Sequence, residues 1–216
     1  MISNHLKTII ERELSMSPPI LCEGWTTPER GIEMAELVLE TKPETIVEIG
    51  CFGARSTIAM ALALRENGKG KIYTIDPWKK EAALEGENQA NQAWWNSVDL
   101  HDIHKKAMEA IWRNGLDEYV TPIRTYSHFV GSIFPPIGIL VIDGNHSEIA
   151  SCRDVEKYIP LVKSGGLIWF DDSNWQSTQK ALSLIESYAP LGNRVFDLFK
   201  NGESYRIYKS DDRYTS

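Results

Sequence analysis

Four apolar runs in this sequence stop on acids: Glu48 in TIVEIG, Asp76 in YTIDPW, Asp143 in ILVIDGNHS, and the pair Asp171-Asp172 in LIWFDD. Carboxylates lined up along one rim repel each other and resist burial, so such a set calls for cations or hydroxyl groups to satisfy it. Asp143, Asp171 and Asp172 can offer three hard oxygen ligands if their strands are neighbours, which suits Mg²⁺ or a similar cation. Zinc is disfavoured, because no His/Cys set has the spacing for it. In the alternative reading, Asp172 caps the next helix and Asp171 meets a nucleotide. His146 lies three residues past Asp143, where an imidazole can act as general base near neutral pH. His101, His104 and His128 lack such company and are read as structural.

The elements that must position these residues follow from apolar patterning. Thr45 to Ile49 reads as a strand, Gly50 and Gly53 as a turn, residues 54–66 as a helix and residues 71–76 as a second strand ending on Asp76. A glycine at the strand end lets the backbone approach a ligand, and the following helix presents unpaired N–H groups to it. An acid about 20 residues further on can accept hydrogen bonds from both ribose hydroxyls. Further strands are expected at Val120 to Arg124, Ile137 to Ile142 and Leu167 to Phe170, with helices at 101–114, 127–134, 148–159 and 177–188. A tight turn is expected at 163–166. Asn201-Gly202 marks a hairpin between Arg194–Phe199 and Ser204–Tyr208. The fold class is α/β: a Rossmann-like, doubly wound, mostly parallel sheet with a C-terminal antiparallel hairpin.

Two segments stand outside this alternation. Leu6, Ile9, Ile10 and Leu14 have helical spacing, so residues 1–24 read as a helical extension, broken at Ser17-Pro18-Pro19, which packs as a flap or serves a homodimer contact. A helix from Pro28 to about Glu40 follows, with Trp25, Glu29 and Gly31 as candidates to roof the ligand turn. Residues 79–115 read as a substrate lid in which Trp94, Trp95 and Trp112 offer stacking surfaces; the paired tryptophans suit a core-edge cover equally well.

A length of 216 residues suits one α/β domain, and 42% apolar with 25% charged residues is the balance of an ordered globular chain. The formal net charge of −7 and the absence of a Lys/Arg run argue against a nucleic-acid partner. Cys22, Cys51 and Cys152 are scattered and odd in number, which fits a reducing compartment. No opening segment resembles a signal peptide and no run reaches membrane-span length, so a cytoplasmic protein without a membrane partner is expected.

Together these residues resemble the class I S-adenosylmethionine-dependent methyltransferases, and more narrowly the cation-dependent O-methyltransferases with the related macrolide-sugar methyltransferase and cephalosporin-hydroxylase-like proteins. VEIG with Ser56 and Thr57 is similar to the family's first motif, TIDPW to its second-strand acid motif and IRTYS to its pre-adenine strand. VIDGNHSEIASCRDVEKYIPLVKSGGLIWFDD carries the most specific likeness. The resemblance implies a cofactor site of Glu48, Gly50, Cys51, Phe52, Ser56, Asp76, Pro77, Trp78, Ser127 and Asp143. Within it, Glu48, Gly50 and Ser56 cradle the methionine portion, Asp76 holds the ribose and Ser127 lies near the adenine. It further implies a Mg²⁺-type ion on Asp143, Asp171 and Asp172, and His146 with Asp143 as the catalytic pair. Ala54 stands where the family has a second glycine, Thr125 where a glycine is common, and Asp172 where the catechol and caffeoyl-type members have asparagine. The implied activity is methylation of a hydroxyl on a small molecule, a sugar or a catechol-like acceptor.

Three other functions compete. An NAD-dependent oxidoreductase shares the early strand–turn–helix, but Gly50-Cys51-Phe52-Gly53 lacks the middle glycine of its fingerprint. A catalytically silent cofactor-binding partner has no use for the acid cluster. Metal-assisted hydrolysis needs no Glu48/Asp76 arrangement.

Overall fold

Strands covered on both faces by helices read as unbroken apolar runs, and IGILVI does so. A computed structural model describes residues 2–15, 22–131, 133–188 and 194–212. In it, β1 (Thr45–Ile49) and β4 (Ile137–Ile142) are buried along their whole length at the centre of a seven-stranded sheet. The remaining strands are β2 (Lys71–Ile75), β3 (Val120–Ile123), β5 (Val162–Asp171), β6 (Arg194–Asn201) and β7 (Tyr205–Asp212). They lie in the order β3-β2-β1-β4-β5-β7-β6, and β7 runs against both of its neighbours. This is the doubly wound, mostly parallel sheet with an antiparallel C-terminal hairpin that the patterning predicts.

Helices cover both faces. On one side α1 (Asn4–Glu13), α2 (Pro28–Thr41), α3 (Arg55–Asn67) and α6 (Leu100–Arg113) pack on Ile46, Ile72, Ile139, Val141 and Trp169. On the other side α7 (Glu148–Tyr158) and α8 (Gln179–Glu186) cover Val47, Ile49, Leu140, Ile142 and Phe170. The apolar face of α1 is spent inside the chain: Leu6, Ile10 and Leu14 are buried, and Gly31 of α2 lets Ile10 and Leu14 approach closely. The expected break at Ser17-Pro18-Pro19 lies outside the described residues. Among the described residues no helix is long and apolar enough to cross a membrane.

Several local expectations shift. The stretch after β2 is helical rather than unpatterned, forming α4 (Lys80–Leu84) and α5 (Gln89–Ser97), the latter capped by Asn88. Neither helix buries a residue fully, so neither shows an apolar period to read. Residues 163–166 are a bulge within β5 rather than a turn ahead of it. Ile137 pairs with Val162 and Ile139 with Leu167, which pushes the extra residues outward. The helix expected from Ser127 is a single 3-10 turn, Ser127–Phe129; the Ser127 carbonyl also accepts the Tyr158 hydroxyl at 2.8 Å.

Register fixes the site. Ile123, Ile75, Ile49, Ile142 and Phe170 lie in one row across the sheet. The next row outward therefore holds Asp76, Gly50, Asp143 and Asp171 side by side. Gly50 has φ +92, and a Cβ there would sit 1.9 Å from the Asp143 carbonyl oxygen, so β1 and β4 can close at this point only around a glycine. Gly50→Ala should therefore lower stability by about 3 kcal/mol or more. Urea denaturation of both proteins checks this, and an unchanged midpoint would contradict it.

Candidate active site

A cavity of about 650 Å³ opens over the carboxyl ends of β1, β2, β4 and β5. Its size and its position at the sheet's switch point are those of a small-molecule site. At one end it is lined by Gly50, Cys51, Phe52, Ser56, Asp76, Pro77 and Ser127. At the other it is lined by Asp143, His146, Asp171 and Asp172, so residues dispersed over 123 positions meet on one surface.

Asp76 organises the first end. Its Oδ2 accepts the Cys51 and Phe52 amides at 3.1 and 2.9 Å, and its Oδ1 accepts the Trp78 amide at 2.7 Å. Burial pushes this carboxyl up and the three amides pull against it. The turn they hold is strained: Phe52 and Ala54 adopt φ 46 and φ 68, the left-handed region that glycine prefers. Ala54 stands at the N-cap of α3 without a capping side-chain bond, so no cap side chain takes the first amides of that helix.

Two residues expected at the cofactor do not line the cavity. Glu48 is fully buried beneath the turn, where Ser56, Thr57 and Thr74 donate to its carboxylate at 2.6, 2.5 and 2.7 Å. Burial lifts its pKa to about 7 against those donors. Its capacity to accept is spent on tying α3 and β2 together. Trp78 is likewise buried, donating from Nε1 to the Phe52 carbonyl at 2.8 Å and packing edge-on against His104.

The acid wall is faced by one imidazole and one guanidinium. His146 Nε2 lies 3.4 Å from Asp143 Oδ1 and 3.3 Å from Asp172 Oδ2. Burial pushes the imidazole down, but the bond to Asp143 and the charges of Asp143, Asp172 and Asp171 outweigh it, so its pKa rises. Arg30 Nη1 faces both oxygens of Asp171 at 3.0 and 3.2 Å. Asp171 is still raised, by burial first and then by Asp143, while Arg30 lowers it. Asp172 also rises, chiefly through burial. It holds φ 46, and its side chain does not cap α8, whose N-cap is Thr178. Asp171 pairs with Arg30.

Among the described residues no group of three or more His, Cys, Asp or Glu side chains is arranged as it stands to hold a metal ion. The donor chemistry nevertheless fits a hard divalent ion. Three carboxylates share one wall with a single guanidinium and a single imidazole, and burial and mutual repulsion raise two of the acids.

Several lining residues gave little signal in the sequence. Asp154 of α7 is buried and accepts the Ser127 hydroxyl at 2.5 Å. Asn145 donates to the Ala82 and Glu85 carbonyls at 3.0 and 2.9 Å, pinning α4 over the cavity. Arg55 is buried and donates to the carbonyls of Leu14, Cys22 and Thr26, which holds the 22–26 segment as a roof. Trp25, Trp94 and Trp95, expected as roof and lid, line the cavity together with Trp175, and Trp25 is stacked on Phe52 at 5.0 Å. Trp112 is 77% exposed and does not line it, Glu29 is exposed on α2, and His128, read as structural, does line it.

Fold and cavity together define an α/β protein whose cavity joins the Asp76-held turn to an acid–imidazole wall. Residues 47–173 match the family described as a methyltransferase domain, and the chain belongs to that family. A caffeoyl-CoA O-methyltransferase from Stellaria longipes is 28% identical over 188 residues, spanning 87% of this chain and 68% of that protein. The solved structure of the SAH-bound methyltransferase PaMTH1 of Podospora anserina superposes with a TM-score of 0.66 at 14% identity, covering 99% of this chain and 89% of the other. An O-methyltransferase of Bacillus cereus in complex with SAH gives 0.61 at 15% identity, covering 98% and 92%.

Asp154 supplies a test of how this pocket tolerates charge. Burial raises its carboxyl from 3.8 to about 6. The folded state therefore binds a proton that the unfolded state has released between those values, and stability is lost as pH climbs through that window. Asp154→Asn keeps an acceptor for Ser127 without the charge. Its melting temperature relative to the parent should rise between about pH 4 and pH 6 and level off above. A difference that stays flat over this range in a thermal-denaturation series would show that Asp154 is not so perturbed.

Proposed function

We propose that this chain is an S-adenosylmethionine-dependent O-methyltransferase acting on a hydroxyl of a small, ring-bearing molecule, a sugar or a catechol-like acceptor. The observation that carries it is the joining, in one cavity, of the Asp76-held turn with the His146 wall. The family match and the SAH-bound and O-methyltransferase relatives support the same reading.

When bound, the cofactor would supply a methyl group made electrophilic by a sulfonium. The chain's task is then to orient an oxygen nucleophile and to remove its proton. Asp76 has a carboxylate oxygen engaged by only the Trp78 amide, which leaves it able to accept from a ribose hydroxyl. The amides at the start of α3, which no cap side chain takes, suit a carboxylate. His146, oriented by Asp143 and Asp172 through Nε2, would take the acceptor proton on its imidazole once it is itself unprotonated. The four tryptophans offer ring faces for stacking.

A divalent cation belongs to the same reading. Asp143, Asp171 and Asp172 would hold it, and it would supply Lewis acidity to a coordinated hydroxyl and fix its position.

Calorimetry should show saturable binding of S-adenosylmethionine and none of NADH; the reverse result removes the proposal. Asp76→Ala should weaken that binding by about tenfold to a hundredfold, the equivalent of a lost charged hydrogen bond. His146→Gln should leave cofactor affinity intact and cut kcat by roughly 10²–10⁴ in a methyl-transfer assay. Turnover should also fall on chelation and return with Mg²⁺. Full activity in excess chelator would delete the cation from the mechanism while leaving methyl transfer standing.

A further inference from the structure

Arg30 is placed where its own helix does not favour it. It lies in the first turn of α2, three residues after the Thr27 cap, and its backbone amide donates to the Thr27 hydroxyl at 3.3 Å. The positive end of the helix dipole opposes a cation there. What favours it is Asp171, from the far end of the chain, whose two oxygens face Nη1. Only one nitrogen makes that contact. The other, Nη2, donates to Ser204 Oγ at 2.5 Å, and the guanidinium carbon lies 5.6 Å from the Tyr205 ring centroid. The pairing thus lacks the two-pronged geometry that makes arginine–carboxylate bonds strongest, and a hydroxyl and a ring face already hold the other side of the guanidinium.

We propose that Arg30 is the resident counter-charge of the acid wall and competes with a divalent cation for Asp171, so that the ion binds only as the guanidinium leaves the carboxylate. This rests on the cation reading above and goes beyond it by assigning a chain residue that sets the ion's affinity. The guanidinium neutralises a nearly buried carboxylate that would otherwise face Asp143 and Asp172 with His146 alone. It also sits on the helix that follows the roof segment carrying Trp25 and Thr26, so the exchange takes place at the edge of the acceptor end of the cavity.

The test is a Mn²⁺ titration of the full chain without cofactor, read by the electron paramagnetic resonance of the free ion. Arg30→Met keeps the side chain's length and removes its charge. It should bind Mn²⁺ tighter than the parent by about tenfold or more, ~1.4 kcal/mol. Arg30→Lys, which keeps the charge, should stay near the parent. Without Mn²⁺ the Met variant should melt below the parent, and saturating Mn²⁺ should close the gap. Arg30→Gln serves the same comparison if the Met protein does not fold. Equal or weaker Mn²⁺ affinity in the uncharged variant, or no Mn²⁺ bound by any of the proteins, overturns the proposal. Calorimetric binding of S-adenosylhomocysteine to the parent, measured separately, tells failure of the methyltransferase reading from failure of this one.

Discussion

Negative charge at the rim of a parallel sheet is the constraint around which this molecule is arranged. Because β1, β2, β4 and β5 run in register, the residues that follow their last paired positions come to one level, and three of those four residues are aspartates. Carboxylates so placed are short of water and close to one another, which raises Asp171 and Asp172 and holds His146 towards its charged form. Each acid is answered differently: Asp76 by backbone amides, Asp143 and Asp172 by an imidazole, Asp171 by a guanidinium. The first solution leaves Asp76 Oδ1 with the Trp78 amide and Oδ2 with two others. The others leave a wall whose charge a ligand can still alter.

Glu48 belongs to the same economy at a deeper level. It lies two residues before Gly50, so its side chain shares the face of the acid row, but it does not line the cavity. Three hydroxyls close around it instead, and in doing so fix the start of α3 against β1 and β2. The strained turn that follows, with Phe52 and Ala54 left-handed, is supported from below by this cluster and from the side by Asp76. A binding turn built on a buried carboxylate and its hydroxyl donors is rigid before any ligand arrives, which lowers the ordering cost of binding.

The cover of the cavity is assembled from pieces distant in sequence. Arg55 reaches from α3 to the carbonyls of the roof segment, and Asn145 reaches from the β4 end to α4. Arg153 of α7 pairs with Glu85 at 2.8 Å. The Arg55 and Asn145 donors are satisfied by backbone carbonyls without opposing charge, so they set position rather than electrostatics, whereas Arg153 and Glu85 form an ion pair. The aromatic group of Trp25, Phe52, Trp94 and Trp95 closes the remaining side, with ring centroids 4.7 to 6.4 Å apart.

The strands were legible because burial on both faces imposes a pattern that survives in one dimension: TIVEI and IGILVI have no other use for so many branched apolar residues. Their terminal acids were legible for the same reason, each being the first polar residue after an apolar run, as at Asp76 and Asp143. The helices α4 and α5 were not legible, since side chains that face a cavity and solvent carry no apolar period. Nor were the partners of the acids. Whether a carboxylate meets a ligand, a hydroxyl or a guanidinium depends on what lies across a gap of a few ångströms, and Arg30 stands 141 residues from Asp171. Sequence alone determined which residues carry charge at the strand ends and that those ends share a rim. Tertiary structure alone decided that Glu48 is buried as a support, that Asp154 joins Ser127, and that Arg30 faces the wall, because charge compensation is a short-range, three-dimensional property.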